Sequence, residues 1–297
     1  MIKVFVIVVH YRGRGLTEAC LASLKKTQRP ELALKVIVVD NGSSELLNFA
    51  DNDFVELVKT RTNLGFTGGN NVGIKKALAQ GAEWIMLLNN DTLLPTDFFE
   101  IFSQIDLKAG IIAPKIYFAP GKEYHYERYQ EKDRGRVIWY AGGVIDWQNV
   151  YGSHRGVDEV DRSQYDQTAT TDFASGCAML IKRAVFEKIG LLDEDYFLYL
   201  EDLEFCQRAK RAGFKVVFEP LLCLWHVNAG SSSVGGPLQD YFMTRNRLLF
   251  GQQYAPFLAK FALIRESLGL WFQGRKWQRK GVEDFYFRRW SQGSWYD

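Results

Sequence analysis

The chain has 297 residues, 47% hydrophobic and 24% charged, with a formal net charge of +2. That length suits one α/β domain with an appendage, and the composition excludes a disordered or fibrous chain. Four scattered cysteines without C-x-x-C spacing speak against a zinc or dithiol site and fit a reducing, cytoplasmic compartment. No apolar run reaches the ~18 residues of a membrane span, and the apolar stretch Val4 to Val9 is too short for the core of a signal peptide.

Lys3 to Val9 is a nearly unbroken β-branched run, the pattern of a strand buried on both faces of a parallel sheet. Leu16, Cys20, Leu21 and Leu24 follow at helical spacing, and Lys35 to Val39 gives a second buried strand ending in Asp40-Asn41-Gly42. A Gly/Asn-rich loop over 63–71 is expected to lead into a helix reaching about Gln80. Trp84 to Leu88 then forms a third strand, ending in Asn89-Asn90-Asp91. Alternating strands and helices predict a doubly wound, mostly parallel sheet. Ligands bind such sheets outside the carboxyl ends of the strands, where His10-Tyr11-Arg12, Asp40 and Asn89 to Asp91 all fall.

Residues 117–171 read as irregular loops and short strands, rich in aromatics that include Trp139 and Trp147. Ala178 to Ile181 resumes a strand pattern, Asp202 to Ala212 is helical with Gly213 as its stop, and Lys215 to Phe218 is another strand. Leu222 to Trp225 is strand-like and is followed by His226.

The opening strand-helix-strand unit is not a dinucleotide site. After Gly13 and Gly15 the third glycine of that fingerprint would fall at Glu18, whose carboxylate would repel a pyrophosphate. Asp40 reads either as a turn residue or as an acceptor for a nucleobase N–H. The 63–71 segment reads as a plain flexible loop or as one that brings backbone N–H groups to a phosphate or sugar. Asp91, at a strand end, is a turn former or a ligand for a divalent cation. His226 is a structural histidine or a metal ligand. Glu201, Asp202 and Glu204 open a helix, where acids offset the dipole whatever the function; the functional alternative makes Asp202 the base that deprotonates an attacking hydroxyl.

In their order and separations, several segments resemble glycosyltransferase family 2, and within it the bacterial rhamnosyltransferase-like branch. They are Val6 to Arg12, Val38 to Ser44, Asn63 to Asn71, Leu87 to Thr92, Phe173 to Ile181, Phe197 to Glu204, Trp225-His226 and Tyr241 to Asn246. The resemblance implies a GT-A fold, a nucleoside-diphosphate sugar donor, Mn²⁺ or Mg²⁺, and inversion at the anomeric carbon by single displacement. It assigns Asp40 to the pyrimidine base, with His10, Arg12, Asn63, Gly65, Gly69, Asn70 and Asn90 on the donor side. Asn89 and Asp91 fall on the family's D-x-D position, where Asn89 replaces the usual first aspartate, and His226 completes the metal shell with Asp91. Asp202 becomes the general base, and Gly176, Cys177 and Glu201 line the junction of donor and acceptor. On this reading residues 1–237 form the catalytic domain, with a nucleotide-binding half to about 115 and an acceptor half over 116–237. dTDP-L-rhamnose is the preferred donor, and the acceptor is a saccharide or lipid-linked saccharide. The alternatives are a non-catalytic nucleotide- or carbohydrate-binding protein and a nucleotidyltransferase.

Residues 238–297 form a helical extension with 10 Lys and Arg against 5 Asp and Glu, a net +5 that leaves −3 for the body. Phe257, Phe261, Ile264, Leu268, Trp271 and Phe272 recur at helical spacing beside basic and aromatic runs. This stripe either lies in a membrane interface, at the cytoplasmic face, or packs on the catalytic domain or a second subunit of a homodimer. The acidic body and the absence of a recognition motif argue against nucleic acid.

Overall fold

The computed structural model describes residues 1–47, 53–227 and 235–296. The chain begins with β1 (Ile2–His10), α1 (Arg14–Lys25), β2 (Leu32–Asn41), β3 (Val55–Thr60), α2 (Gly65–Ala79), β4 (Trp84–Asn89), β5 (Thr92–Leu93), α3 (Phe98–Gln104) and β6 (Ile111–Phe118). It continues with β7 (Ile138–Tyr140), β8 (Gly143–Asp146), β9 (Tyr151–His154), β10 (Ala169–Thr170), β11 (Ala178–Lys182), α4 (Arg183–Ile189), α5 (Glu201–Arg211) and β12 (Val216–His226). Three helices, α6 (Pro237–Tyr254), α7 (Phe257–Gln273) and α8 (Lys276–Tyr286), complete it.

One large sheet runs in the order β10-β12-β6-β11-β4-β1-β2-β3, and β8 with β9 forms a separate small pair. The pairs β1·β2, β1·β4, β2·β3 and β6·β12 are parallel, while β11 lies antiparallel between β4 and β6. The expected α/β architecture with a mostly parallel sheet is therefore present, with one reversed strand at its centre. Val4, Val6, Ile7 and Val8 of β1 are wholly excluded from solvent. Burying each such side chain is worth roughly 1.5–3 kcal/mol, which is why this run forms the middle of the sheet.

Two expectations need correction. The Gly/Asn-rich segment is helix from Gly65 onward. Its glycines form a flat seam: a Cβ on Gly69 would lie 2.9 Å from Val9 and one on Gly73 2.4 Å from Ile7, so α2 sits closer to β1 than any side chain would allow. Packing of that seam outweighs the helix-breaking tendency of glycine, about 1 kcal/mol per residue. The separate strand readings over 215–218 and 222–225 are one strand, β12, with an irregularity between Glu219 and Cys223 that absorbs Pro220.

The extension is divided in its behaviour. Leu248, Leu249 and Phe250 of α6 belong to the same buried cluster as the sheet. On α7, Ala259, Leu263 and Ser267 are buried, whereas Phe257, Phe261, Ile264, Leu268 and Phe272 face outward; Trp271 is half-buried and stacks on Tyr286 at 5.4 Å.

Candidate active site

The parallel register places His10 beside Asp40, and Val9 beside Asn89. The carboxyl ends of β1, β2 and β4 thus open together into a cleft of about 460 Å³. Arg12, Gly13 and Leu16 line it together with Gly65, Phe66, Asn70, Phe197 and Leu198. Asn41, Asn63, Asn89, Asn90 and Asp91 also line it.

The start of α2 is built by amides. Asn41 receives the Leu64 N–H at 3.0 Å and donates to the Gly65 carbonyl at 2.9 Å; Asn63 receives the Gly65 N–H at 2.9 Å. The next two N–H groups, of Phe66 and Thr67, both donate to the Phe197 carbonyl, at 2.8 and 3.3 Å. All four are therefore engaged within the protein, and the expectation that this segment offers backbone N–H groups to a phosphate is not met. What the helix start binds instead is the Phe197 segment. Gly65 has φ +72°, and a Cβ there would come within 2.5 Å of Phe197.

His10 and Asp40 lie behind the cleft and do not line it. His10 is fully buried, with Nδ1 2.8 Å from Thr17 Oγ1 and Nε2 3.3 Å from Ser43 Oγ, and burial lowers its pKa. Asp40 accepts the Ser43 N–H at 3.0 Å, closing the turn after β2. Asn90 ties the loop after β1 by donating to the Arg12 carbonyl at 3.1 Å and to Thr17 at 2.9 Å.

Asp91 and His226 are brought together by β5, which pairs antiparallel with β12 so that Thr92 stands opposite His226. His226 Nε2 lies 3.1 Å from Asp91 Oδ1, and both residues are buried. The His226 ring meets Trp139 edge to face at 4.7 Å. Behind Trp139, His154 is held neutral, its pKa pushed down to about 4 by burial. Trp147 stacks on Phe250 at 5.8 Å and does not reach the cleft.

Asp202 occupies the first turn of α5. Its carboxylate accepts the N–H of Gly176 and that of Leu203, each at 2.9 Å. A Cβ on Gly176 would sit 3.1 Å from Phe66 and 3.7 Å from Asp202, so the glycine lets Phe66 pack close to it, and Gly176, Cys177, Glu201 and Asp202 do not themselves line the cleft. Burial raises the pKa of Asp202. It raises that of Glu201 further, helped by repulsion from Asp202, and Glu201 Oε2 has no partner among the described residues. Cys177 is buried, and its carbonyl accepts the Asn89 N–H at 2.8 Å.

The segment leading to Asp202 is strained. Phe197, Tyr199 and Leu200 have φ of 59°, 70° and 69°, left-handed values that cost side-chain-bearing residues energy. α6 holds them there: Asn246 Nδ2 reaches the carbonyls of Tyr196, Leu198 and Tyr199 at 2.7, 2.8 and 2.9 Å. Its neighbour Arg245, fully buried, donates to the carbonyls of Asp195 at 3.0 Å and Ser291 at 2.6 Å.

A family model described as "Glycosyltransferase like family 2" matches residues 3–250. The chain belongs to this family. The glycosyltransferase is 30% identical over 184 residues to the low-salt glycan biosynthesis hexosyltransferase Agl10 of Haloferax volcanii, spanning 61% of this chain and about half, 54%, of that relative. It is 25% identical over 259 residues to the dTDP-rhamnosyl transferase RfbF of Shigella flexneri, covering 82% and 81% of the two chains. Over 250 residues it is 26% identical to the N-acetylglucosaminyl-diphospho-decaprenol L-rhamnosyltransferase of Mycobacterium tuberculosis, covering 76% of each. Two solved structures share its fold. GalNAc-T7 with UDP, GalNAc and Mn²⁺ superposes with a TM-score of 0.60 at 16% identity, covering 96% of this chain and 57% of that one. Residues 1–349 of S. aureus TarS give 0.55 at 15% identity, covering 96% and 79%. The fold of the glycosyltransferase is GT-A.

Several cleft residues carried no signal in the sequence. Asn41 was visible only as part of a turn. Phe66 and Phe197 look like ordinary core aromatics. Trp295, from the far end of the chain, lines the cleft together with Leu238. It is carried there by a latch in which Ser294 donates to Asp284 through N–H at 2.8 Å and Oγ at 3.0 Å, while the Tyr241 hydroxyl donates to the same carboxylate. Gly293 makes the turn at φ +58°, where a Cβ would strike the Tyr241 hydroxyl at 2.1 Å.

Proposed function

We propose that this glycosyltransferase moves a sugar, L-rhamnose from dTDP-L-rhamnose by preference, onto a hydroxyl of a saccharide or lipid-linked saccharide, with inversion at the anomeric carbon. The observation that carries the reading is the pair made by Asp91, which lines the cleft, and His226 behind it, with Asp202 bonded to Gly176. The choice of rhamnose and of a lipid-linked acceptor draws support from the names of the Shigella and Mycobacterium relatives.

The pair fits a divalent cation. The 3.1 Å between Asp91 Oδ1 and His226 Nε2 is the spacing of neighbouring ligands about 2.1 Å from one ion. His226 Nδ1, buried and without a partner among the described residues, leaves the ring one uncommitted nitrogen. Among the described residues no three His, Cys, Asp or Glu side chains cluster as a metal cage, so diphosphate oxygens and water would fill the remaining positions. A bound cation would offset the negative charge that grows on the departing diphosphate.

The rest of the chemistry belongs to the protein. Arg12, which lines the same cleft beside Asn90, would place a positive charge near the departing diphosphate. Asp202 takes the acceptor proton while the acceptor oxygen bonds the anomeric carbon; the bond from that carbon to the diphosphate breaks, and the nucleoside diphosphate departs. Two backbone N–H donors fix the direction of the carboxylate, and burial makes it a stronger base. Burial and the neighbouring Asp202 push the Glu201 carboxyl up, which disfavours a second negative charge beside the base.

Calorimetric titration with dTDP, UDP, GDP and NAD⁺, each with Mn²⁺ and with excess chelator, tests the site. Mn²⁺-dependent binding of dTDP is the expected result. Binding of NAD⁺ alone, or of none of the four, overturns the reading.

A further inference from the structure

α7 is apolar on two opposite sides. Ala259, Leu263 and Ser267, one turn apart, face the neighbouring helices α6 and α8. Phe257, Leu258, Phe261, Ile264, Leu268 and Phe272 are between 47% and 80% exposed. At 3.6 residues per turn these six fall within an arc of roughly 120° and make a stripe about 25 Å long. They present on the order of 700 Å² of apolar surface, more than the largest patch of roughly 300–600 Å² found on an ordinary monomer.

We infer that this outer face of α7 docks on the surface of an anionic lipid bilayer. The charges around it select that occupant. Arg265 lies inside the exposed arc, and Lys260 and Arg288 border it at a cavity of about 520 Å³, which they line with Ile264, Phe285, Trp290 and one acid, Asp195. Lys276 is exposed just beyond the stripe, as is Arg279. Arg265, Lys276, Arg279 and Arg288 form no ion pair with any described residue. The one acid of α7, Glu266, is engaged by Arg247 at 2.7 Å and does not neutralise them. A second copy seated on the same face would set cations against cations. A bilayer takes both parts: its acyl boundary receives the aromatic and aliphatic stripe, and its anionic headgroups receive the arginines and lysines. No helix among the described residues is long and apolar enough to cross a membrane, so the contact lies on the surface.

The inference rests on the lipid-linked acceptor reading for its purpose, since a lipid carrier presents its sugar at the membrane face, but its test is independent of it. The full chain is floated with vesicles of phosphatidylcholine alone and with phosphatidylcholine containing phosphatidylglycerol, at low salt. Binding to the anionic vesicles is expected to be tighter by about tenfold or more. The double variant Phe261→Glu/Phe272→Glu, and separately Arg265→Glu/Arg279→Glu, are each expected to lower it by about tenfold while leaving dTDP affinity unchanged. The charge variant alters only exposed, unpaired side chains and guards against misfolding. Equal binding to both vesicle types, or no binding, overturns the inference. So does a wild-type dimer in sedimentation that Phe261→Glu/Phe272→Glu converts to monomer. Loss of all dTDP binding with vesicle binding intact would instead refute the donor site and leave the docking face standing.

Discussion

Replacing Asn246 with leucine, close in volume but without an amide, tests whether α6 holds the catalytic segment in place. The substitution removes a donor that serves three carbonyls at 2.7 to 2.9 Å. The amide has two hydrogens to share among them, so at a net value of about 1 kcal/mol per hydrogen these contacts contribute roughly 2 kcal/mol. The three left-handed residues they restrain store a comparable strain, about 1 kcal/mol or more apiece. With the restraint gone, Phe197 to Leu200 relaxes toward ordinary backbone angles, and the start of α5 moves with it. Since Leu200 is the residue before that helix and Asp202 lies in its first turn, the carboxylate loses its alignment with the Gly176 N–H. Released strain offsets part of the lost bonding, so the expected outcome is a net loss of about 1 kcal/mol in guanidinium denaturation, against roughly 5–15 kcal/mol typical of a folded domain. Turnover should fall by about tenfold or more, because misplacement of a reacting group by one ångström is costly. Donor affinity should weaken as well, since Phe197 and Leu198 line the cleft. A variant with wild-type denaturation midpoint and wild-type turnover would refute the clamp.

Asp202→Asn is expected to cut turnover by about 10²–10⁴-fold with donor affinity unchanged in calorimetry. The amide accepts only one of the two backbone N–H groups, and that loss is set against a gain: a carboxylate whose folded pKa is raised loses stability as pH climbs from the unfolded value through the folded one, and the amide escapes that cost. The same shift puts the acid limb of a kcat/KM profile above the ordinary aspartate value, with full activity on the alkaline side and loss as pH falls; a limb at or below that value would argue for another base. His226→Ala should abolish the Mn²⁺ dependence of dTDP binding while the protein still folds; retained Mn²⁺ dependence would remove His226 from the metal site. Trp295→Ala should weaken dTDP binding by about tenfold, the value of one aromatic contact, and lower the thermal midpoint modestly through lost packing on Trp277; unchanged affinity would reduce Trp295 to packing.

The strands nearest the site were legible because they are buried on both faces and nearly pure in β-branched residues: Lys3 to Val9 and Lys35 to Val39 appear as β1 and β2. β3 escaped notice because it is a half-exposed edge strand, and Glu56 on it pairs with Lys35 and Lys76 at 2.9 and 2.6 Å. Composition argued against helix over 63–71, and only the seam against Val9 and Ile7, a tertiary fact, reverses that argument. Strand direction has no local code either, so nothing in Ala178 to Ile181 announces that β11 runs against its neighbours. Asp91 and His226, 135 positions apart, could be joined on paper only through the order of known motifs; the two-residue strand β5 that joins them is too short for any periodicity to reveal. Trp295 was beyond reach, since its place depends on a latch made by Tyr241 and Asp284.

Arg245 touches Asp195 and Tyr196 on one side and Ser291 on the other, so one guanidinium joins the approach to the catalytic helix with the last turn of the chain. Chimeras designed to exchange acceptor preference between relatives meet this guanidinium first. A crossover at 237/238 parts α6 from the backbone that it holds and mixes two lineages inside one hydrogen-bond network. A crossover in the turn between α6 and α7, at Ala255 and Pro256, keeps Asn246 with its carbonyls and exchanges only α7, α8 and the last turn. In that arrangement the membrane-facing layer becomes the exchangeable cassette, provided that the incoming sequence brings its own partner for the Tyr241 hydroxyl.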